Sequence, residues 1–200
     1  MSWILTALGN EVHMRFPSPG TINLATIAHH LSLINRFCGA TCRPYSVAEH
    51  SLLVCEIAER DFHLDCHALF AALMHDAHEA YVTDLPTPAK DEIAGWRTFE
   101  ERFERMVRSC FGLHTTAYQH RHALKQADLI ALATEREQLL PAGAREWDVL
   151  FHVQPVTWVD LMDKGRCSLA WSDWRQAFIN RANELDYERQ ERASTLGRPA

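Results

Sequence analysis

The seven residues Ala68-Leu-Phe-Ala-Ala-Leu-Met74 are all apolar, span about two helical turns, and end on His75-Asp76. A helix that is apolar on every side needs neighbours all round, which predicts a bundle built about this segment. The polar pair at its end needs partners too. A buried carboxylate without them costs several kcal/mol, so such groups are hydrogen-bonded, ion-paired or metal-bound.

The rest of the chain supplies the surrounding helices. Asn23 to Cys38 carries Leu24, Ile27, Ala28, Leu31, Ile34 and Phe37 at three- and four-residue spacing, with Gly39 as a stop. A second helix starts at Ser46, where Ser46-Val-Ala-Glu49 fits a capping box, and continues to Arg60. The central helix covers 65–80. Thr83-Asp-Leu-Pro-Thr-Pro88 breaks the chain. A fourth helix is expected over 91–110, with Trp96, Phe99, Phe103, Met106, Val107 and Cys110 on one stripe. A fifth is expected over 119–140, ended by Pro141-Ala-Gly143, and another over 171–190. Residues 144–170 show no decisive pattern. Residues 3–16 read as a hairpin about Gly9-Asn10. The expectation is an all-α bundle with a short N-terminal β-hairpin, one domain over 1–190, and a polar tail over 191–200.

Composition narrows the function classes. A net charge of −6 argues against a cationic surface for a nucleic acid polymer. No apolar run approaches the roughly 18 residues that span a bilayer, so no membrane partner is expected. The six cysteines form no zinc-ribbon pairs, and Cys55, Cys66 and Cys110 fall in apolar helical patterns. They read as reduced thiols in a cytoplasmic protein.

Two more polar residues interrupt apolar stripes. His50 shares a face with Leu53 and Val54, and Asp128 lies among Leu124, Ala127, Ala131 and Leu132. Taken singly, His50 fits a hydrogen-bonded structural histidine, and Asp128 fits an ion pair with Lys125. Together with His75 and Asp76 they put two imidazoles and two carboxylates on inward faces of three helices. Bundle cores are where such metal sites are assembled. This donor set suits Mn, Fe, Co, Ni or Zn better than calcium, and four protein ligands leave coordination positions open. Glu79, one turn after His75, is placed to act as a general acid or base or to position water. Asp84 either supports it or caps the next turn.

Tyr45-Ser-Val-Ala-Glu-His50, His75-Asp-Ala-His-Glu-Ala-Tyr-Val-Thr-Asp-Leu-Pro-Thr-Pro-Ala-Lys90 and Lys125-Gln-Ala-Asp128, in that order, resemble the H…HD…D signature of HD-superfamily metal phosphohydrolases. They are similar in particular to bacterial 5′-deoxynucleotidases and to the shorter phage and prophage HD hydrolases. The Thr6-Ala-Leu-Gly-Asn-Glu11 hairpin and Arg36-Phe-Cys-Gly39 resemble the latter group. The resemblance covers about residues 3–140. It implies an HD-domain helical bundle and one divalent metal ion (Co, Mn, Ni, Fe, Zn or Mg) on His50, His75, Asp76 and Asp128. It places Glu79 and Asp84 at the scissile phosphate, and Arg36 and Phe37 at a nucleotide. Phe37 stands where the nucleotidases carry tryptophan. Lys90 is expected to offset phosphate charge. His78, where the family has a small residue, is a candidate for phosphate or a second metal. The residues alone leave open that Arg36 is a surface ion pair, Phe37 a core aromatic and His78 a histidine with no such role.

The expected activity is hydrolysis of a nucleotide phosphate ester, foremost a deoxynucleoside monophosphate to deoxynucleoside and phosphate. The alternatives are removal of triphosphate or pyrophosphate from a deoxynucleoside triphosphate, or a non-catalytic nucleotide-binding regulator. A homodimer is expected, with Trp96, Phe99 and Phe103, or the stretch 171–178, available to line its interface.

Overall fold

The computed structural model describes residues 2–143 and 145–196. It is an all-α bundle with one antiparallel hairpin, β1 (Trp3–Leu5) and β2 (Glu11–His13), in which Trp3 faces His13 and Ile4 faces Val12. The turn uses Gly9 at φ 79°, a conformation costly for residues with a Cβ. Thr6 closes it: its amide donates to the Asn10 carbonyl at 2.9 Å, and its hydroxyl accepts from the Asn10 amide at 3.1 Å.

α1 (Leu24–Leu33) starts from Asn23, whose side chain accepts from the Thr26 amide. It stops short of the expected Cys38. The Ile34 carbonyl accepts from the Val47 amide (3.0 Å), and the Arg36 amide donates to the Tyr45 carbonyl (2.9 Å). This extended ladder competes with the helix and wins. Phe37 and Cys38 then turn at φ 55° and 51°, in the left-handed region. Arg36 and Phe37 therefore sit on a strained corner rather than on a helix.

α2 (Val47–Arg60) begins at Ser46, whose hydroxyl accepts from the Glu49 amide at 3.2 Å. The second half of the expected capping box gives way to an ion pair. The fully buried Glu49 carboxylate takes a two-pronged pair from Arg43 (2.7 and 2.9 Å) and a further bond from Arg166 (3.2 Å). A guanidinium fork matches a carboxylate better than one backbone amide does.

α3 (Cys66–Leu73) is buried along its length, as its composition requires. It ends eight residues into the expected 65–80. The His75 imidazole donates from Nδ1 to the Ala72 carbonyl at 2.8 Å, taking the acceptor that the continuing helix would have used. A turn follows, then α4 (Glu79–Val82). Thr83, at φ 74° and ψ 161°, makes a corner rarely open to a β-branched residue and leads into Asp84.

The expected fourth helix is two: α5 (Thr87–Glu92) and α6 (Trp96–Cys110), separated by Gly95 at φ 81°. The expected fifth helix, 119–140, is α8 (Arg121–Leu139), preceded by the short α7 (His114–Gln119), which the sequence pattern did not reveal. The undecided stretch holds the short α9 (Lys164–Ser168) and a 3-10 turn over Asp148–Leu150. Side chains of α8 hold the rest of it. Thr134 accepts from the Val156 amide, and Gln138 bonds the Val159 carbonyl and the Leu161 amide. α10 (Trp171–Leu196) runs past the expected end near 190, so six residues assigned to the tail are helical; 197–200 lie outside the described residues. No helix among the described residues is long and apolar enough to cross a membrane.

α3 is packed by α2, α7, α8 and α10, while α10 also covers α1 and α2. His30, which no motif explained, ties the hairpin to α4: it accepts from the Ala7 amide and donates to the Ala80 carbonyl. Cys55 and Cys66 are buried, and Cys110 is partly exposed. Phe103 and Phe178, placed on candidate dimer faces, are fully buried within the chain. Phe178→Ala is expected to lower unfolding free energy by about 3–5 kcal/mol, the usual loss for a buried phenylalanine, measured by denaturant titration.

Candidate metal centre

Three elements bring the candidate ligands to one point. His50 comes from the first turns of α2, Asp128 from α8, and His75 and Asp76 from the turn after α3. His50 Nε2 lies 3.3 Å from His75 Nε2, 3.6 Å from Asp76 Oδ2 and 3.5 Å from Asp128 Oδ1. His75 Nε2 lies 3.1 Å from Asp76 Oδ2 and 3.9 Å from Asp128 Oδ1. Ligands with bonds of about 2.1 Å stand about 3.0–3.4 Å apart at angles between 90° and the tetrahedral value. His50, His75 and Asp76 come nearest to that spacing, at 3.1–3.6 Å, and form a three-donor cluster compatible with one cation; Asp128 Oδ1 stands outside it, 3.5 and 3.9 Å from the two imidazole nitrogens.

The tautomers fit as well. His75 donates from Nδ1 to a carbonyl, which leaves the Nε2 lone pair facing the cluster. His50 Nδ1 lies 2.5 Å from Glu135 Oε1, so a carboxylate orients this ring as the outer partner of a ligand histidine commonly does.

The charges are poised for a cation. Burial pushes Asp76 up, but the adjacent His75 and then His50 outweigh it and hold Asp76 well below the ordinary carboxylate range. Asp128 is likewise held low: burial opposes, and His50 and His75 prevail. Burial and Arg36 press His50 toward neutrality, yet Glu135 and Asp128 raise it to about 9.

Arg36 is buried rather than a surface cation. Its Nε and one terminal nitrogen each lie 3.2 Å from Glu135 Oε2, and its other terminal nitrogen lies 3.8 Å from Asp76 and 3.9 Å from Asp84. The guanidinium carbon sits 5.2 Å above the Phe37 ring, whose other neighbour is Trp147 at 6.1 Å between centroids. Glu79 is 3% exposed; burial, Asp76 and Asp84 raise it well above the usual carboxylate range, against Arg36 and Lys90. Asp84 is raised by burial and Asp76, against the pull of Arg36. The Lys90 ammonium turns to Glu100 at 2.6 Å and lies 3.9 Å from Glu79. His78 is buried, with Nε2 3.5 Å from Glu100. The open side of the cluster faces a cleft of about 220 Å³ lined by His75, Asp76 and Asp128 together with Arg108, Arg121 and Lys125.

Sequence reasoning missed Glu135, Tyr45, Glu100 and Trp147. Glu135 had a usable signal: it lies seven residues after Asp128 on the same buried stripe, where an unpaired carboxylate is not tolerated. Tyr45, whose hydroxyl donates to Glu135 at 3.0 Å, and Glu100 gave no sign of their partners, which are distant in sequence.

No family model matches the sequence. The chain is 36% identical over 150 residues to the uncharacterized protein YfdR of Escherichia coli strain K12, a match spanning 75% of this chain and 79% of that protein. The chain belongs to the YfdR family. A second member, the uncharacterized protein RCAP_rcc00048 of Rhodobacter capsulatus, is 34% identical over 155 residues, again 75% of this chain and 79% of the relative. Each match to the YfdR relatives spans about three quarters of the chain.

Because Glu135 orients His50, Glu135→Ala is expected to weaken divalent-metal affinity about 10–100-fold. Competition against a chromophoric chelator measures it. Unchanged affinity would show that His50 is held without this carboxylate.

Proposed function

We propose that the chain is an HD-type, metal-dependent nucleotide phosphohydrolase. The foremost reading is a 5′-deoxynucleotidase that converts a deoxynucleoside monophosphate to deoxynucleoside and phosphate. The observation that carries the reading is the approach of His50, His75, Asp76 and Asp128, with imidazole Nε2 atoms and carboxylate oxygens 3.1–3.9 Å apart across the imidazole pair.

Co, Mn, Ni, Fe, Zn or Mg are the candidate ions for these ligands. An ion held there supplies Lewis acidity toward a phosphoryl oxygen and lowers the pKa of water. The residues around it do the remaining work. Arg36, kept charged by Glu135, Asp84 and Asp76, presents a guanidinium edge to phosphate. The Phe37 ring beside it packs against sugar or base. Glu79, whose carboxyl burial, Asp76 and Asp84 raise well above the ordinary range, is the general acid for the departing nucleoside oxygen in this reading. Asp84, which shares Arg36 with Asp76, orients the attacking water.

A second reading has its own support. Arg108 and Arg121 line the cleft beside His75 and Asp76, and cations there suit further phosphates of a nucleoside triphosphate. Removal of triphosphate or pyrophosphate would follow. In either reading the protein works in the cytoplasm as a homodimer on a small nucleotide, with neither a nucleic acid polymer nor a membrane as partner; sedimentation velocity decides the oligomeric state.

Asp76→Ala is expected to lose both bound metal and hydrolysis, by elemental analysis and phosphate release. Unchanged turnover in that variant would sink the assignment. Glu79→Ala is expected to retain metal and lose turnover by roughly 10²-fold or more, the usual contribution of general acid–base catalysis. Loss of metal in this variant would instead make Glu79 a ligand. A screen of deoxy- and ribonucleoside mono- and triphosphates with Mn, Co and Mg, with products separated chromatographically, is expected to show nucleoside and phosphate from a deoxynucleoside monophosphate. Triphosphate or pyrophosphate as the released product selects the second reading.

A further inference from the structure

Beside the metal centre lies a second buried cluster. His78, Glu79 and Glu100 bring one ligand-type atom each within 4.8 Å of one another. His78 and Glu79 are 7% and 3% exposed. His78 Nε2 faces Glu100 at 3.5 Å, and among the described residues Glu79 Oε2 is buried without a hydrogen-bond partner. An imidazole and two carboxylates with coordination capacity to spare form a donor set for a divalent cation.

A cation already stands there, however. Lys90 rises from α5, and its Nζ lies 2.6 Å from Glu100 Oε1 and 3.9 Å from Glu79 Oε1. A metal ion bonded to that Glu100 oxygen would sit about 2.1 Å from it, against the ammonium. Two cations so close in a buried place repel strongly, because little water screens them. Occupation by the lysine and by a metal are therefore mutually exclusive.

We infer that Lys90 is the built-in cation of a second, metal-like site formed by His78, Glu79 and Glu100, and that it keeps this site closed to a divalent ion. The centre is thereby limited to the one ion on His50, His75, Asp76 and Asp128, a count that rests on the metal-centre reading. The ammonium carries one fixed charge and cannot exchange with solution. It offsets Glu79 and Glu100 without offering a second Lewis acid.

The test is Mn²⁺ stoichiometry by equilibrium dialysis and native mass spectrometry on the full chain. Lys90→Met keeps the length of the side chain and removes its charge. It is expected to bind one more Mn²⁺ per chain than the wild type and to gain more thermal stability from Mn²⁺. Adding Glu100→Gln is expected to abolish that extra ion. Lys90→Gln serves as a second variant should the methionine not fold. No extra ion in a folded Lys90 variant overturns the inference. A wild type that already binds a second ion, lost on Glu100→Gln, overturns it as well. The metal-centre reading is judged by a different number, the ion bound by wild type and lost on Asp76→Ala, whereas Lys90 is judged by the increment alone.

Discussion

Glu135 is the group on which the site depends. It is fully buried on α8 and accepts from three donors: His50 Nδ1 at 2.5 Å, the Tyr45 hydroxyl at 3.0 Å and Arg36 Nε at 3.2 Å. Burial pushes its pKa up; Arg36 and His50 outweigh that and hold it below the ordinary glutamate range. One carboxylate thereby joins α8, α2 and the extended segment around residues 35–45. Removing any donor leaves charge buried without compensation, which costs far more than an exposed ion pair. The position of His50 and the position of Arg36 are thus one fact.

Around this anchor the charges divide into two halves. On one side Asp76 and Asp128 face the imidazole pair, with the cleft beyond them. On the other, Glu79 and Glu100 face Lys90, and α5 and α6 close them in. The first half is open to the cleft, and its chain cations stand at its edges: Lys125 pairs with Asp128 Oδ2 at 2.8 Å, as the sequence allowed, and Arg36 lies 3.8 Å from Asp76. In the second, the lysine stands against both carboxylates. Glu79 lies at the boundary, where burial and then Asp76 and Asp84 raise its pKa against the opposing pull of Arg36 and Lys90.

Two of the backbone's costly conformations lie at the edges of this arrangement. Phe37, with φ 55°, follows Arg36 directly; Thr83, with φ 74°, precedes Asp84. Each departs from regular structure where a charged side chain must be aimed at the centre. Such residues persist only where surrounding contacts over-determine them. The Ile34–Val47 and Arg36–Tyr45 ladder bonds do this at the first corner.

Local periodicity was enough to read the bundle, the hairpin, the centrality of α3, and the inward faces of His50 and Asp128. These follow from spacing, because a buried stripe must repeat every three or four residues. The ends of helices were misread where another partner captured a backbone group: the Tyr45 carbonyl took the Arg36 amide, and the nearby His75 ring took the Ala72 carbonyl. The four candidate ligands were legible because each breaks an apolar pattern. Glu135, Tyr45, Glu100 and the true neighbours of Lys90 and His78 were not, for a pairing of charges on separate helices leaves no trace in the spacing of either. What the sequence by itself determined is which residues turn inward. Only the tertiary structure decided which of them meet, because burial makes every inward charge find a partner but does not say which one.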